Sequence, residues 1–299
     1  MKTLLITGGT GFIGRMLTQR ALAAGYRVRV LSRDPDKARR QLPGISAFSD
    51  IGQAFAEPAD VLVNLAGESL FARWTEARKK AFYDSRIGLT RQLVASAERH
   101  RRWPDTVISG SAVGFYGPDN GDARLTESSP AVDSFSHQLC HAWEQAASGF
   151  AREGSRLVLL RTGIVLDKEG GALRTMLLPF RLGLAGRIGS GRQWMSWISR
   201  TDHVSLMLYA MEHEQLEGPL NATAPEPVTN REFTQTLARQ LRRPALIPLP
   251  APVVRGVLGE MGDELLLASH RVVPAKALES GFRFEHPTLT QALRTALAD

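Results

Sequence analysis

The glycine-rich segment at the N-terminus constrains the fold of this chain more than any other feature. The sequence MKTLLITGGTGFIG starts as an apolar strand at residues 3–7 and turns, through Gly8, Gly11 and Gly14, into an amphipathic helix. The first glycine allows a sharp turn, the second leaves room for a pyrophosphate beside backbone N–H groups, and the third lets the helix pack closely. With a second strand at residues 27–31, this context predicts a dinucleotide site at a helix N-terminus, the alternative being a turn made glycine-rich for packing. The residues predicted to bind the cofactor here are Gly8, Gly11, Phe12, Ile13 and Gly14.

The residues after the second strand indicate which dinucleotide the chain accepts. In a dinucleotide-binding fold an acidic residue there binds the ribose 2′-hydroxyl of NAD, whereas this chain has Ser32 and Arg33. A carboxylate would repel a 2′-phosphate, but a hydroxyl and a forked guanidinium bind one. Asp34 lies one residue further along, before Pro35, and is interpreted as a turn residue. The sequence therefore favours NADP(H) over NAD(H), unless Arg33 is only a solvated loop arginine.

Composition limits the other possibilities. With 299 residues, 43% of them hydrophobic, the chain can form one large domain or a domain with a lobe. It has no apolar run of about 18 residues, so no membrane span is expected, and its N-terminus predicts a core strand rather than a signal peptide. Its one cysteine, Cys140, excludes an internal disulfide and favours a reducing cytoplasm. The net charge of +7 comes from scattered basic residues, which we interpret mainly as solvated surface, so neither nucleic acid nor membrane is expected as a partner.

The order of the predicted elements indicates the fold class. Strands are predicted at residues 3–7, 27–31, 61–65, 106–110 and 156–161, with helices at 13–24, 75–100 and 136–153 between them. Apolar strands that alternate with helices predict a parallel sheet covered on both faces. We predict an α/β fold with a doubly wound parallel sheet of the Rossmann type and a smaller C-terminal substrate lobe. The sheet domain is predicted to span residues 1–166, with residues 198–215 returning to it. The lobe is predicted to consist of residues 167–197 and 216–299.

Four motifs resemble the extended short-chain dehydrogenase/reductase superfamily. They are TGGTGFIG at the N-terminus, NLAG at residues 64–67, ISGSAVGFYG at residues 108–117 and WISRTDHV at residues 197–204. Later segments, among them GPLNATAPEPVTNREF, resemble one atypical branch, the nucleotide-sugar-epimerase-like family of the YfcH type. The resemblance covers essentially the whole chain. It implies an epimerase-like or oxidoreductase protein that binds a nicotinamide dinucleotide.

The catalytic positions depart from that superfamily. Its chemistry uses a Ser or Thr near the end of the fifth strand, then a Tyr and a Lys four residues apart on the next helix, the lysine lowering the tyrosine pKa. Ser111 is present here, with Ser109 nearby. Alignment on Glu144 puts Ser136 at the Tyr position and Cys140 at the Lys position. We therefore predict that Tyr–Lys hydride chemistry is altered or absent.

Other residues are candidates for the missing proton donor. Tyr116, shortly after Ser111, is predicted to be catalytic with it, the alternative being a wall residue of the substrate pocket. His137 and His141 lie four residues apart on one helix face, where a histidine can replace tyrosine as acid or base, or simply lie on the surface. Because the sequence suggests no third ligand beside them, no metal site is predicted.

The resemblance assigns further residues to the cofactor. They are Leu65, Ala66, Gly67, Glu68, Arg86 and Val165. It implies that the backbone of Leu65 and Ala66 lines the adenosine and ribose edge, that Arg86 faces the cofactor from a basic helix, and that the backbone around Val165 contacts the nicotinamide end. The alternative for Leu65 to Glu68 is a tight strand end in which glycine only makes the turn possible. The alternative for Arg86 is a solvated arginine on the helix surface.

Two functions therefore remain open from the sequence. The first is an NADP(H)-binding oxidoreductase or epimerase-like protein with non-standard catalytic residues, acting on an unidentified small polar substrate such as a sugar nucleotide. The second is a weakly or non-catalytic NADPH-binding regulatory or scaffold protein, for which the missing Tyr–Lys pair is the main argument. A homodimer is left open as the quaternary state.

Overall fold

The apolar runs of the sequence form one parallel sheet with helices between its strands. A computed structural model describes residues 1–298. The strands within them are β1 (Thr3–Thr7), β2 (Arg27–Leu31), β3 (Ser46–Phe48), β4 (Val61–Asn64), β5 (Thr106–Ala112), β6 (Arg156–Thr162), β7 (Ile164–Leu166), β8 (Trp194–Met195), β9 (Trp197–Ser199), β10 (Gly218–Ala222) and β11 (Val228–Thr229). The α-helices are α1 (Phe12–Ala23), α2 (Pro35–Gln41), α3 (Ile51–Phe55), α4 (Glu76–Tyr83), α5 (Leu89–His100), α6 (Phe135–Arg152), α7 (Gly171–Arg181), α8 (Arg200–Glu212), α9 (Asn230–Leu241), α10 (Ala251–Leu258), α11 (Ala275–Glu279) and α12 (Leu289–Leu297).

The order of the strands fixes where a ligand can bind. Seven of them form the central sheet in the order β3-β2-β1-β4-β5-β6-β10, and every neighbouring pair is parallel. The chain first builds outwards from β1 to β3 and then returns to place β4 on the other side of β1. In open sheets of this kind, ligands bind outside the carboxyl ends of the strands at that reversal. The predicted doubly wound Rossmann-type sheet is confirmed.

Helices cover both faces of this sheet. On one face α1 and α8 contribute Leu17 and Met207 to the core that includes the side chains of β1 and β2. On the other face α3, α5 and α6 contribute Phe55, Leu93 and Phe150. Because both faces are buried, the strands need apolar residues on both sides, which explains their uninterrupted apolar sequences.

A second apolar core lies in the C-terminal part of the chain. Side chains from α7, α9 and α12 meet there, among them Leu173, Phe233 and Leu293. The sequence places the return to this lobe at residue 216, whereas β10 is the seventh strand of the main sheet and pairs with β6. The boundary is corrected accordingly. The sequence does not mark this strand clearly, because it begins with Gly218 and Pro219 and both residue types are rare within strands. They are tolerated here because β10 lies at the edge of the sheet.

Candidate cofactor and active site

The glycine turn between β1 and α1 has a backbone that only glycine adopts easily. Gly8 has a φ of +71°, and an added Cβ there would lie 2.9 Å from the carbonyl carbon of Leu65. A Cβ at Gly14 would lie 2.1 Å from the oxygen of Gly8, so α1 could not approach the turn so closely with a larger residue. Leu65 and Ala66 thus lie directly against Gly8, at the strand ends where the crevice opens.

The N-terminus of α1 is open towards this crevice. Gly11 is its N-cap residue and is exposed, and no side chain within residues 1–298 caps the helix. The ring of Phe12 packs against Gly170 and lies 4.7 Å from the guanidinium carbon of Arg200, while Ile13 packs on the core. Because these side chains are used in packing, Phe12 and Ile13 can serve an anion only through their backbone N–H groups.

The end of β2 presents an unpaired arginine. Arg33 is exposed and has no hydrogen-bond or ion-pair partner in the part of the chain that the structure describes. The hydroxyl of Ser32 is held in a turn by the backbone of Asp34. Asp34 is the N-cap of α2, where its carboxylate accepts a hydrogen bond of 2.9 Å from the N–H of Lys37. One oxygen of the Asp34 carboxylate is therefore engaged at the helix end.

Arg86 reaches the end of β4 from a π-helical turn. The predicted helix at residues 75–100 is interrupted by this turn, Asp84–Gly88, and such turns frequently mark functional sites. The guanidinium donates a hydrogen bond of 2.8 Å to the carbonyl oxygen of Glu68, and a Cβ on Gly67 would lie 3.0 Å from its Cζ. Burial lowers the pKa of Arg86, but a guanidinium remains charged at neutral pH. A cation thus lies where β4 meets the predicted crevice.

Ser111 belongs to a buried polar network. Its hydroxyl donates to a carboxylate oxygen of Glu144 at 2.7 Å. The two oxygens of Glu144 also accept hydrogen bonds of 2.9 Å each from Arg161, which lies opposite Ser111 on β6. Burial opposes charge on Arg161, yet the hydrogen bonds to Glu144 raise its pKa above the usual value. The Arg161 guanidinium therefore stays charged and holds both oxygens of Glu144 in a forked pair.

The network continues to Tyr116, which is fully buried. The Tyr116 hydroxyl donates to Oδ1 of Asn221 at 2.7 Å and accepts from Arg161 at 3.2 Å. Burial raises the pKa of this hydroxyl, and the nearby Arg161 offsets only part of the effect. The structure thus brings Ser111 and Tyr116 together through Arg161. A catalytic role for Tyr116 stays a prediction that this geometry disfavours, because the hydroxyl has partners on both sides and no solvent access.

The two positions that replace Tyr and Lys are both buried in α6. Burial raises the pKa of Cys140 to about 12, so its side chain is a thiol at neutral pH. The hydroxyl of Ser136 has no hydrogen-bond partner among the described residues. The N–H groups of Phe135 and Ser136 donate to the carboxylate of Glu264, at 3.1 and 2.7 Å, which joins the C-terminal region to the start of α6. Neither Ser136 nor Cys140 offers a phenol or a cation.

The remaining candidates lie at the edges of this network. His137 and His141 stack with ring centroids 5.6 Å apart, and His141 is exposed. Nδ1 of His137 lies 2.6 Å from the carbonyl oxygen of Phe115, so one ring nitrogen is already engaged. Val165 is buried in β7 beside β9, so only its backbone can contact a ligand. Residues 1–298 contain no group of three or more His, Cys, Asp or Glu residues that could hold a metal ion.

Sequence reasoning missed three members of the network. It used Glu144 only as an alignment marker and overlooked Arg161 and Asn221. A signal for Arg161 exists, since it follows the apolar run LVLL in the strand RLVLLRT and an arginine buried there must find a partner. Asn221 has no comparable local signal, because its position depends on the pairing of β10 with β6.

Comparisons with known proteins show which families and relatives this chain resembles. Residues 4–222 match the model of the NAD dependent epimerase/dehydratase family, and residues 249–296 match a domain of unknown function, DUF1731. The chain is 37% identical over 299 residues to the epimerase family protein YfhF of Bacillus subtilis. The match covers 99% of this chain and 98% of that protein.

Two solved structures resemble the fold over nearly all of its length. The human epimerase family protein SDR39U1, crystallised with NADPH, has a TM-score of 0.88 and 36% identity, with 98% of each chain covered. The nucleoside-diphosphate sugar epimerase from Corynebacterium glutamicum has a TM-score of 0.79 and 32% identity, and the match covers 99% of this chain and 58% of that one.

Proposed function

This chain belongs to the NAD dependent epimerase/dehydratase family, and on that premise we propose that it is an NADP(H)-binding oxidoreductase or epimerase-like enzyme. Its substrate is a small polar molecule, with a sugar nucleotide as the class suggested by the similarity to a nucleoside-diphosphate sugar epimerase. The observation that carries the proposal is the end of β2. There Arg33 is exposed and unpaired among the described residues, while Asp34 is engaged in capping α2.

This arrangement favours a 2′-phosphate over a 2′-hydroxyl. An unpaired guanidinium offers a fork of donors to phosphate oxygens, and charge-assisted hydrogen bonds of this kind are stronger than neutral ones. Asp34 lies one residue beyond the position of the ribose-binding acid, and one oxygen of its carboxylate already accepts the N–H of Lys37. The NADPH bound by human SDR39U1 supports the same choice.

The turn between β1 and α1 also offers hydrogen-bond donors for the rest of the cofactor. Gly11 is exposed without a side chain, and the N–H groups at the start of α1 lie beside it, which suits a pyrophosphate. The backbone of Leu65 and Ala66 would line the adenosine side. When bound, the nicotinamide supplies hydride transfer.

Arg86 would provide the positive charge that a lysine supplies elsewhere in the superfamily. Its guanidinium carbon lies 5.3 Å from the ring centroid of Trp143, on the same helix α6 that carries Cys140 at the lysine position. It also lies against Gly67 and Glu68 at the end of β4. We expect Arg86 to hold the cofactor from this side of the crevice.

A second candidate function is that of a weakly or non-catalytic NADPH-binding regulator or scaffold. The buried network favours it, because the hydroxyls of Ser111 and Tyr116 are both hydrogen-bonded inside the protein. The thiol of Cys140 is no better as an acid or base at neutral pH, since burial raises its pKa to about 12.

Cofactor titration tests the first part of the proposal. Arg33→Ala should weaken NADPH binding by about 1.5–3 kcal/mol, the contribution of a hydrogen bond to a charged group, and leave NADH binding nearly unchanged. Arg40→Ala is the matched control, because Arg40 is an exposed arginine of the neighbouring helix α2. Nucleotide fluorescence measures the six dissociation constants, those of wild type and the two variants for each cofactor. Equal losses for both cofactors in Arg33→Ala would contradict the assignment to the 2′-phosphate.

A substrate screen separates the two functions. Wild-type protein is incubated with NADPH and with carbonyl compounds or sugar nucleotides, and both NADPH oxidation and epimerised products are measured. Turnover that falls in Arg86→Ala, but not in the exposed control Arg91→Ala, would support the enzyme. Tight NADPH binding without turnover on any substrate would favour the regulator or scaffold.

A further inference from the structure

The C-terminal lobe exposes several large apolar side chains at one place. Leu178, Leu182 and Leu184, at the end of α7 and just after it, are 67, 62 and 59% exposed. Leu246 and Ile247, before α10, are 83 and 53% exposed. Isolated exposed leucines are normal on a protein surface, whereas a contiguous patch marks an interaction site.

Backbone pairing brings these two groups of side chains together. The N–H of Ile247 donates to the carbonyl oxygen of Ala185 at 3.2 Å, and the N–H of Leu249 donates to that of Arg187 at 2.9 Å. Gly186 lies so close that an added Cβ would be 2.2 Å from the oxygen of Ile247. The two segments therefore run side by side and form one apolar surface.

The two chain segments that carry this surface contain positive charges and no negative ones. Residues 171–192 and 233–259 contain eight arginines and no Asp or Glu, although the net charge of the whole chain is only +7. The eight are Arg174, Arg181, Arg187, Arg192, Arg239, Arg242, Arg243 and Arg255. All are exposed, and only Arg255 forms an ion pair with another described residue, Asp263. The rest of the chain is thus close to neutral, so the basic character of the protein is concentrated here.

A cleft lies in the same surface. It has a volume of about 440 Å³ and is lined by Arg187, Arg231, Thr234 and Leu246, among others. Two guanidiniums beside a hydroxyl and an apolar wall provide donors for a phosphate group and a contact for its hydrocarbon part.

We propose that this basic apolar face, made of Leu178, Leu182, Leu184, Leu246 and Ile247 with the eight arginines, binds the surface of an anionic lipid bilayer. The leucines would enter the boundary between headgroups and acyl chains, while the arginines contact lipid phosphates. A second copy of the chain is a poorer partner, because a symmetric contact would bring arginines against arginines. Nucleic acid would satisfy the arginines but leave the leucines in water.

This membrane contact goes beyond the proposed function, and it differs from the expectation, drawn from the sequence, that no membrane is a partner. None of the helices within residues 1–298 has the length and apolar character that crossing a membrane requires. Attachment to a membrane surface needs neither, because buried apolar area and attraction to anionic lipids provide the binding energy.

Vesicle co-sedimentation of the full chain tests the proposal. The protein should bind vesicles of equimolar phosphatidylcholine and phosphatidylglycerol, bind phosphatidylcholine vesicles far less, and dissociate as salt is raised. Arg181→Gln with Arg242→Gln and Arg243→Gln should weaken binding about a hundredfold, since each arginine near an anionic surface contributes about a factor of five. Leu182→Ser with Leu184→Ser and Leu246→Ser should also release the protein, although the charge is unchanged.

The matched control is Arg91→Gln with Arg99→Gln and Arg152→Gln, which removes the same charge from exposed positions on α5 and α6. This variant should bind within a few-fold of wild type. Equal weakening in the control, equal binding to neutral vesicles, or no vesicle binding at all would overturn the proposal. A dimer that the leucine variant dissociates, without vesicle binding, would assign the face to self-association instead.

Discussion

The Tyr116 hydroxyl lies between the side-chain oxygen of Asn221 and the guanidinium of Arg161, at 2.7 and 3.2 Å. Such a hydroxyl stabilises the structure by satisfying two buried polar groups, and its proton is already engaged. The Arg161 guanidinium in turn links it to Glu144 and Ser111. A change at Tyr116 is therefore expected to act first on stability and only indirectly on a substrate.

The variant Tyr116→Phe separates these roles. It leaves Asn221 without its donor, so the free energy of unfolding should fall by about 1–3 kcal/mol, measured by urea denaturation. Tyr83→Phe, a partly buried tyrosine whose hydroxyl has no hydrogen-bond partner among residues 1–298, is the control and should change little. If Tyr116→Phe instead kept full stability and lowered turnover by about 10²–10⁴-fold, Tyr116 would be the proton donor.

The glycine turn allows binding and folding to be tested separately. Gly11 has φ −76° and ψ 179°, an extended backbone that any residue adopts, so Gly11→Val should fold but block both NADPH and NADH. Gly14→Ala should lose stability, because its Cβ would lie 2.1 Å from the oxygen of Gly8. Circular dichroism with nucleotide fluorescence measures both effects. Retained binding in Gly11→Val would mean that the dinucleotide does not cross this turn.

At the level of elements, the first strands of the central sheet could be predicted from the sequence. The C-terminal part of the chain could be predicted only in part. β1 and β2 have the predicted bounds, because apolar runs flanked by glycine and charged residues mark them clearly. β3 has three residues and β10 contains glycine and proline, so neither has a distinct pattern. The glycine turn between β1 and α1 was predictable because its signal is local. The Ser111–Glu144–Arg161 network was not, since it forms between β5, α6 and β6.

The helix α6 carries a prediction about restoring the superfamily residues. Ser136→Tyr with Cys140→Lys should not produce a gain in reductase activity, because both positions are buried and leave little space for larger side chains. Ser136 packs so closely on Gly114 that a Cβ added to this glycine would lie 3.1 Å from the Cβ of Ser136. A lysine at position 140 would also place a second cation beside Arg86. We expect a loss of about 1–3 kcal/mol in unfolding free energy from overpacking alone.

Ser136→Ala is the control for this helix. It removes a buried hydroxyl that has no partner among the described residues, so stability should be unchanged or higher. Urea denaturation of both variants decides the matter. A double variant as stable as wild type, with NADPH-dependent turnover above it, would show that α6 can accommodate the superfamily pair.

At the level of the whole molecule, charge and apolar surface are distributed in a way that the linear sequence conceals. The eight arginines are spread over two segments that are separated by 40 residues (193–232). Backbone hydrogen bonds from Ile247 to Ala185 and from Leu249 to Arg187 bring these two segments side by side. The sequence alone indicates solvated surface, whereas the fold lays two arginine-rich segments with exposed leucines next to each other. The same folding brings residues of the C-terminal region back to the start of α6.

Glu264 makes that return contact, and it gives the last prediction. Its carboxylate accepts the N–H groups of Phe135 and Ser136, which the start of an α-helix otherwise leaves unpaired. Glu264 is also buried, so Glu264→Ala should lower the free energy of unfolding by about 1–3 kcal/mol and loosen the C-terminal region from α6. Glu260→Ala is the matched control, because its partner Lys79 binds it at the surface and such pairs contribute less than about 1 kcal/mol. Urea denaturation measures both losses, and limited proteolysis of residues 249–298 reports the loosening. Equal stability of the two variants would mean that the helix N-terminus does not depend on Glu264, and that the contacts of the C-terminal apolar core alone hold this region in place.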